Sequence, residues 1–236
     1  MRNIPVIPDE DFFTALDIAV TQSVPKPTAV VLNYPNNPTT AMADLDFYER
    51  VVDYCRHHKI YILSDLAYAE VYFDGPPPPS ILQVKGARDV AVEFTSMSKT
   101  YSMPGWRIGF ATGNKNLISA LSRIKSYLDY GAFTPIQVAA TAALNGPQDC
   151  VDQMRQLYRE RRDVLIDSMS QAGWEIPSPP STMFASSCSC GTRFRPASVI
   201  SAIRGVHCQT SAMITPHKAE VPPAKMGVLG DKRPNP

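Results

Sequence analysis

Apolar residues recur along the first 170 residues with two alternating periods. The helical period, with apolar residues every three or four positions, predicts helices over 9–23, 45–55, 117–128, 135–144 and 149–172. Short apolar runs predict strands over 28–32, 60–63, 89–94 and 107–111. Strands that alternate with amphipathic helices are typical of parallel βα units with helices on both faces. The sequence therefore predicts an α/β fold with a mostly parallel sheet.

The pattern stops at about Met183. Residues 183–236 hold seven basic and two acidic residues, only two aromatic residues, and no sustained helical or strand period. Such a composition is typical of a disordered segment. We therefore predict a basic, disordered tail. Elsewhere, four prolines at 76–79 predict a stiff surface loop.

Composition and charge exclude several classes of protein. A net charge of +1 indicates no nucleic-acid partner, and no apolar run reaches the roughly 18 residues of a membrane helix. Five cysteines, an odd number, do not form a disulfide framework, so we expect a reducing cytoplasm. Part of the tail combines three cysteines with one histidine, but their spacing fits no zinc finger, so we expect no metal: Cys188, Cys190, His207 and Cys208.

Polar side chains follow three of the predicted strands. The segments are 33–39 (NYPNNPT), 64–68 (SDLAY) and 95–99 (TSMSK), and Arg107 lies eight residues past Lys99. Taken singly, each of these segments is also typical of an ordinary turn or helix cap. Together they offer an amine for a Schiff base, a carboxylate for a ring nitrogen, a phenol and an amide for a ring oxygen, and a hydroxyl and a guanidinium for a phosphate. Those groups describe a pyridoxal phosphate site.

These segments carry a family resemblance. Residues 96–109 (SMSKTYSMPGWRIG) fit the lysine signature of class I aminotransferases, which are fold-type I pyridoxal phosphate enzymes. Asn37-Pro38-Thr39 and Asp65-x-x-Tyr68 match the same family in order and spacing. From Arg2 to about Met183 the chain is especially similar to the alanine and LL-diaminopimelate aminotransferase branch.

The resemblance implies a role for each site residue. Lys99 would form the Schiff base and then act as general base, and Asp65 would keep the ring nitrogen protonated. Tyr68, the third member of the catalytic set, would bond the ring oxygen. The implied cofactor-binding set is Asn37, Asp65, Tyr68, Ser96, Lys99 and Arg107, with Asn37 at the ring oxygen and Ser96 and Arg107 at the phosphate.

The resemblance also implies a domain division. It predicts part of a cofactor-binding large domain at 1–146, a helix leading into an incomplete small domain at 147–182, and the tail at 183–236. The family's glycine-containing phosphate loop and cofactor-stacking ring have no counterpart here, so we expect a chain truncated at its N-terminus. Arg193, Arg195 and Arg204 lie in no context that matches the family's substrate-carboxylate arginine.

Three functions stay open at the level of sequence. The first is an aminotransferase that moves an amino group between an amino acid and a 2-oxo acid, as a homodimer by resemblance. The second is an inactive remnant of an aminotransferase, with at most an interaction role. The third is another pyridoxal phosphate reaction, such as that of a β-lyase.

Overall fold

A computed structural model describes residues 2–181, so the whole predicted tail at 183–236 lies outside the described residues. Four strands form one sheet in the order β1-β2-β3-β4: Ala29–Asn33, Tyr61–Asp65, Ala91–Ser96 and Gly109–Gly113. The first three strands are parallel, and β4 runs antiparallel to β3. The predicted α/β fold with a mostly parallel sheet is confirmed.

Seven helical segments accompany the sheet in the described part of the chain. They are α1 (Glu10–Thr21), α2 (Leu45–His58), α3 (Ala87–Val90), α4 (Met97–Thr100), α5 (Lys115–Leu128), α6 (Thr134–Asn145) and α7 (Asp149–Gln171). Two 3₁₀ turns, Ile81–Gln83 and Pro104–Trp106, lie in the connections. No helix within residues 2–181 has the length and apolar character needed to cross a membrane.

Side-chain caps mark the start of α1 and α2. The Asp44 carboxylate accepts a hydrogen bond from the Phe47 amide at 2.8 Å, as the sequence predicts, and Asp9 caps α1 in the same way. At its other end α2 stops at Lys59, whose φ of 58° is left-handed and cannot continue the helix. The five long helices therefore lie within about three residues of their predicted ranges.

Helices α1 and α2 cover one face of the sheet. Their apolar residues pack with the alternate strand residues Val30, Leu32 and Ile62 in one core. The ring of Phe12 lies 4.9 Å from that of Phe47, edge to face, and joins the two helices. Each fully buried side chain of this kind contributes about 1.5–3 kcal/mol. This layer is the main support of the strands.

The opposite face is exposed at β1 but covered at β3, where Val92, in the same register row as Val31 and Leu63, is 2% exposed. On β1, Val31 points away from the core and is 67% exposed. Strands β1 and β2 bury every second side chain, as strands with one covered face do, whereas the first three residues of β3 are all buried.

Two strand boundaries also differ from the prediction. The start of β3 moves from 89 to 91 because residues 87–90 form the short helix α3. The predicted strand 107–111 lies at 109–113 instead, because Arg107 has a left-handed φ of 52° that no strand residue adopts. Arg107 therefore lies in the loop before β4.

A buried carboxylate fastens the polyproline loop to β3. Glu93, 4% exposed, accepts hydrogen bonds from the Ser80 hydroxyl at 2.7 Å and from the Ile81 amide at 3.0 Å. Ser80 directly follows the four prolines, of which Pro76 and Pro77 are exposed, as predicted for a surface loop. Burial raises the pKa of Glu93, although both hydrogen bonds act to lower it.

Candidate active site

The carboxyl ends of the three parallel strands meet at one edge of the sheet. In the strand register Asn33 pairs with Asp65, and Asp65 pairs with Phe94. The side-chain Nδ2 of Asn33 donates to the backbone oxygen of Asp65 at 3.2 Å. This bond joins the last residues of β1 and β2. Loops that leave β1, β2 and β3 therefore start side by side.

An asparagine-rich turn after β1 places Asn37. The side-chain oxygen of Asn33 accepts hydrogen bonds from the Asn37 backbone amide and the Asn36 side chain, both at 3.1 Å. The Asn36 side chain in turn accepts from Thr39. With its backbone held in this way, Asn37 donates from Nδ2 to the phenol oxygen of Tyr68 at 2.8 Å.

The turn after β2 places Asp65 and Tyr68. Asp65 is the last residue of β2, and its carboxylate accepts a hydrogen bond from the Ala67 amide at 3.1 Å. The Leu66 amide donates to the Phe94 backbone oxygen at 2.8 Å, which ties the start of this turn to β3. The second carboxylate oxygen of Asp65 remains available for a ligand, since the hydrogen bond uses only Oδ1.

Lys99 lies on α4, the helical turn that begins where β3 ends. The Ser96 hydroxyl caps this turn by accepting a hydrogen bond from the Ser98 amide at 3.2 Å. The Lys99 amine lies 5.3 Å from the centre of the Tyr68 ring. Asn37, Tyr68 and Lys99, from three different loops, are thus brought together.

Arg107 approaches from the loop between the second 3₁₀ turn and β4. The Met97 amide donates to the Ile108 backbone oxygen at 3.2 Å, so the chain around Arg107 lies beside α4. Its guanidinium, however, donates to the Pro104 backbone oxygen at 3.1 Å. The structure therefore does not join the Arg107 and Ser96 side chains by a hydrogen bond, although both lie near the same turn.

A cleft of about 320 Å³ opens beside this edge, on the face of the sheet that carries Val31. It is lined by Val31, Leu63, Asp65, Ala67, Phe94, Thr95 and Ser96. Mostly apolar walls with one carboxylate and two hydroxyls suit a flat aromatic ring that carries a basic nitrogen and polar substituents. The residues present fit pyridoxal phosphate.

Two groups of residues that organise this site were missed by sequence reasoning. Asn33 belongs to a segment that the sequence singled out, yet only Asn37 was assigned a role. The second group is on α7, where Arg155 donates a hydrogen bond to Glu70, two residues after Tyr68. No periodicity reveals a contact between residues 85 positions apart.

Known proteins resemble this chain over most of its described length. The profile of the family described as aminotransferase class I and II matches residues 10–196. A putative aminotransferase AatC of Rhizobium meliloti is 62% identical over 185 residues, which cover 78% of this chain and 46% of that protein. The glutamate-pyruvate aminotransferase AlaC of Escherichia coli is 50% identical over 184 residues, covering 78% and 45%.

A solved structure agrees with the sequence relatives. The apo-BacF structure from Bacillus subtilis is similar with a TM-score of 0.67 at 34% identity, over 71% of this chain and 44% of that one. The chain spans about half the length of the curated relatives that it matches. It belongs to the class I and II aminotransferase family, whose class I members use pyridoxal 5′-phosphate.

Proposed function

We propose that this chain binds pyridoxal phosphate at the carboxyl edge of its sheet and takes part in amino-group transfer between an amino acid and a 2-oxo acid. One observation carries the proposal: Asn37 donates to the Tyr68 phenol while the Lys99 amine lies 5.3 Å from the Tyr68 ring. The Lys99 amine, the Tyr68 phenol and the Asn37 amide come from the segments that follow three different strands, and Asp65 ends one of these strands.

Each side chain then has a definite task. When bound, the cofactor supplies an electrophilic carbon that captures amines and a ring that delocalises negative charge. The Asp65 carboxylate holds a proton at the ring nitrogen through a charge-assisted hydrogen bond. Tyr68 and Asn37 bond the ring oxygen and orient the ring, and Lys99 takes the proton from the substrate α-carbon.

The phosphate end of the site uses Ser96 and Arg107. The Ser96 hydroxyl caps α4 with its oxygen and can still donate its own proton to a phosphate. The Arg107 guanidinium has to leave the Pro104 carbonyl and turn toward Ser96. This movement is a rotation of the exposed Arg107 side chain. A bidentate contact with phosphate compensates for the lost hydrogen bond to Pro104.

The substrate class is proposed from the relatives. AlaC is named a glutamate-pyruvate aminotransferase, and a relative from Desulforudis audaxviator, 45% identical over 181 residues, is named an LL-diaminopimelate aminotransferase. Both names describe transfer of an amino group. We place the reaction in the cytoplasm because the cysteine usage of the chain does not suggest disulfide bonds.

We further propose that the working form is a homodimer. Large apolar side chains are exposed along the end of α5 and into α6, from 56% for Ile124 to 93% for Tyr130. The set is Ile124, Tyr127, Leu128, Tyr130, Phe133 and Val138. A contiguous run of exposed apolar side chains is typical of an interaction surface. We call residues 124–138 the apolar segment.

Covalent labelling tests the cofactor site. Purified protein is titrated with pyridoxal phosphate, reduced with borohydride and digested, and the modified lysine is located by mass spectrometry. We expect the label at Lys99, its loss in Lys99→Ala, and its retention in Lys85→Ala, a lysine exposed outside the site. A label spread evenly over exposed lysines, or none at all, would contradict the proposal.

The reaction itself is tested by a half-reaction. An added amino acid should convert bound pyridoxal phosphate into pyridoxamine phosphate, with release of the matching 2-oxo acid. Release of ammonia from a β-substituted amino acid, without pyridoxamine phosphate, would instead indicate a β-lyase. A chain that is labelled at Lys99 and carries out neither reaction would be an inactive cofactor-binding remnant.

A further inference from the structure

The turn that carries Tyr68 is tied to the sheet at its start, where the Leu66 amide donates to the Phe94 oxygen. Its own hydrogen bonds run from the Ala69 amide to the Leu66 oxygen at 3.2 Å and from the Val71 amide to the Tyr68 oxygen at 3.0 Å. Such short-range bonds alone leave a solvent-facing turn open to local unfolding. Further hydrogen bonds to this segment come from α7, far along the chain.

Arg155 on α7 holds the turn at Glu70. Its Nε donates to the Glu70 backbone oxygen at 3.2 Å, and its Nη2 donates to the Glu70 carboxylate at 2.7 Å. Its Nη1 donates to Asp152 at 2.7 Å, and the guanidinium lies 4.2 Å from the centre of the Tyr72 ring. The side chain is only 17% exposed, so these bonds are partly shielded from water.

Arg162, two helical turns further on, holds the next part of the same segment. Its guanidinium is 5% exposed, contacts the Asp74 carboxylate and lies 5.0 Å from the centre of the Phe73 ring. It also donates to the Pro179 oxygen at 3.1 Å, and the Phe73 amide donates to the Pro180 oxygen at 2.8 Å. Residues 70–74 are thus fixed to α7 at both ends.

The chemistry of Arg155 suits a positioning role. All three of its guanidinium nitrogens are engaged within the chain, and its carboxylate partners already balance its charge. It grips the backbone as well as the side chain of Glu70, only two residues from the phenol that contacts Asn37. The planar guanidinium of arginine binds its partner in a fixed orientation. The ammonium group of lysine acts as a point charge and fixes that orientation less well.

We propose that Arg155 is a positioning residue for Tyr68: by fixing Glu70 to α7, it holds the phenol beside Asn37 and Lys99. The inference rests on the proposed role of Tyr68 at the cofactor ring. It assigns to α7 a part in cofactor binding without any contact with the cofactor.

Amide exchange tests the structural half on the cofactor-free chain. In Arg155→Met we expect hydrogen exchange at the Ala69 and Val71 amides to be faster by about tenfold, because charged hydrogen bonds to Glu70 are lost. Arg155→Lys should show a smaller increase. The matched control is Arg161→Met, which removes the same charge from the same helix at a side chain that lies over Tyr158, and it should leave exchange unchanged.

A double-mutant cycle with Tyr68→Phe tests the functional half. Arg155→Met should weaken pyridoxal phosphate binding by about tenfold in the native background and by less than about twofold in the Tyr68→Phe background, since the phenol it positions is then absent. Urea unfolding of each variant, compared with Arg161→Met, monitors the overall fold. A merely structural role would weaken binding equally in both backgrounds.

The outcomes separate this inference from the proposed function. Unchanged exchange at Ala69 and Val71 in Arg155→Met overturns the positioning role whether or not pyridoxal phosphate binds, and so does an additive cycle. If the unsubstituted chain binds no pyridoxal phosphate, the proposed function fails, and the exchange measurement alone decides whether Arg155 orders the Tyr68 turn.

Discussion

At the scale of single residues, the orientation of Tyr68 depends on groups that lie far away in the sequence. Asn37, 31 residues earlier, donates to its phenol oxygen, and the Lys99 amine lies over its ring. Neither partner is packed in the core, because the site lies at an exposed sheet edge. In the turns around it, the Asn33 side chain accepts a hydrogen bond from the Asn37 backbone amide, and the Glu70 carboxylate accepts one from Arg155.

Loss of the Asp65 charge should weaken cofactor binding. In Asp65→Asn the side chain keeps its size but no longer attracts a protonated ring nitrogen. Charged hydrogen bonds are worth about 1.5–3 kcal/mol, so the Kd for pyridoxal phosphate should rise by roughly ten- to hundredfold in an absorbance titration. Asp53→Asn on the exposed side of α2 is the control. An unchanged Kd in Asp65→Asn would remove Asp65 from the site.

The buried Glu93 should make stability depend on pH. Burial raises its pKa above the ordinary 4.5, so the folded state retains a proton that the unfolded state releases. The free energy of unfolding should therefore fall as the pH rises above 4.5 and through the folded-state pKa. Glu93→Gln lacks this titrating group, so the free energy of unfolding of the unsubstituted protein should fall relative to that of the variant over this interval. Parallel curves for the two proteins would contradict this.

The hydrogen bonds of Glu93 predict a second contrast. In Glu93→Gln the amide can still accept from the Ile81 amide and donate to the Ser80 hydroxyl, so at pH 7 the free energy of unfolding should change by less than about 1 kcal/mol. Glu93→Ala leaves the buried Ile81 amide and the part-buried Ser80 hydroxyl without this acceptor, and we expect a loss of about 3 kcal/mol. Equal losses in the two variants would show that packing matters more than hydrogen bonding.

At the scale of elements, period and capping predict most of the fold. The long helices and the order of the strands along the chain follow from local residue spacing. The Asp44 cap begins α2 where the sequence predicts it. The helical turn that carries Lys99 was not predicted, because four residues are too few to show a period. The direction of β4 did have a signal: the stretch from Ser96 to Gly109 contains no helix long enough for a parallel crossover.

The site is less predictable than the fold. Sequence reasoning identifies the side chains at the strand ends, because each follows an apolar run. It cannot predict that the Arg107 guanidinium bonds Pro104, or that α7 holds the turn after Tyr68, because these contacts depend on the packed structure. The exposure of Val31 was also not foreseeable, since a short apolar run does not show which of its side chains are covered.

The cap of α2 should contribute measurably to stability. In Asp44→Ala the Phe47 amide loses its acceptor at the start of a helix that packs on the sheet. We expect the free energy of unfolding to fall by about 1 kcal/mol in urea denaturation. Asp53→Ala, in the middle of the same helix and exposed, should change it by less than about 0.5 kcal/mol. A larger effect at Asp53 would contradict the capping argument.

At the scale of the whole molecule, the described chain leaves large apolar side chains exposed in two places. Val31 on β1 and Tyr130 in the apolar segment are 67% and 93% exposed. Such exposure costs free energy in water, about 25 cal/mol for each Å². Association that covers these surfaces is therefore favoured, and the apolar segment is the more concentrated of the two.

The apolar segment should mediate self-association. We expect light scattering after size exclusion to give the mass of two chains at micromolar concentration, and Leu128→Asp or Phe133→Asp to shift it toward one chain. Val164→Asp, on an exposed apolar position of α7, should leave the mass unchanged. A single-chain mass for the unsubstituted protein would refute the homodimer.

The strand order has a consequence for the way this protein is made. Since β1, β2, β3 and β4 are neighbours in the sheet in the same sequence in which they leave the ribosome, each new strand finds its partner already synthesised. The Asn37 turn emerges first, the Tyr68 turn second and Lys99 third. Arg155 emerges last, some 85 residues after Glu70, the residue that it holds. During synthesis the side chains of the candidate site therefore emerge before α7, and by the role proposed for Arg155 the docking of α7 would complete their arrangement.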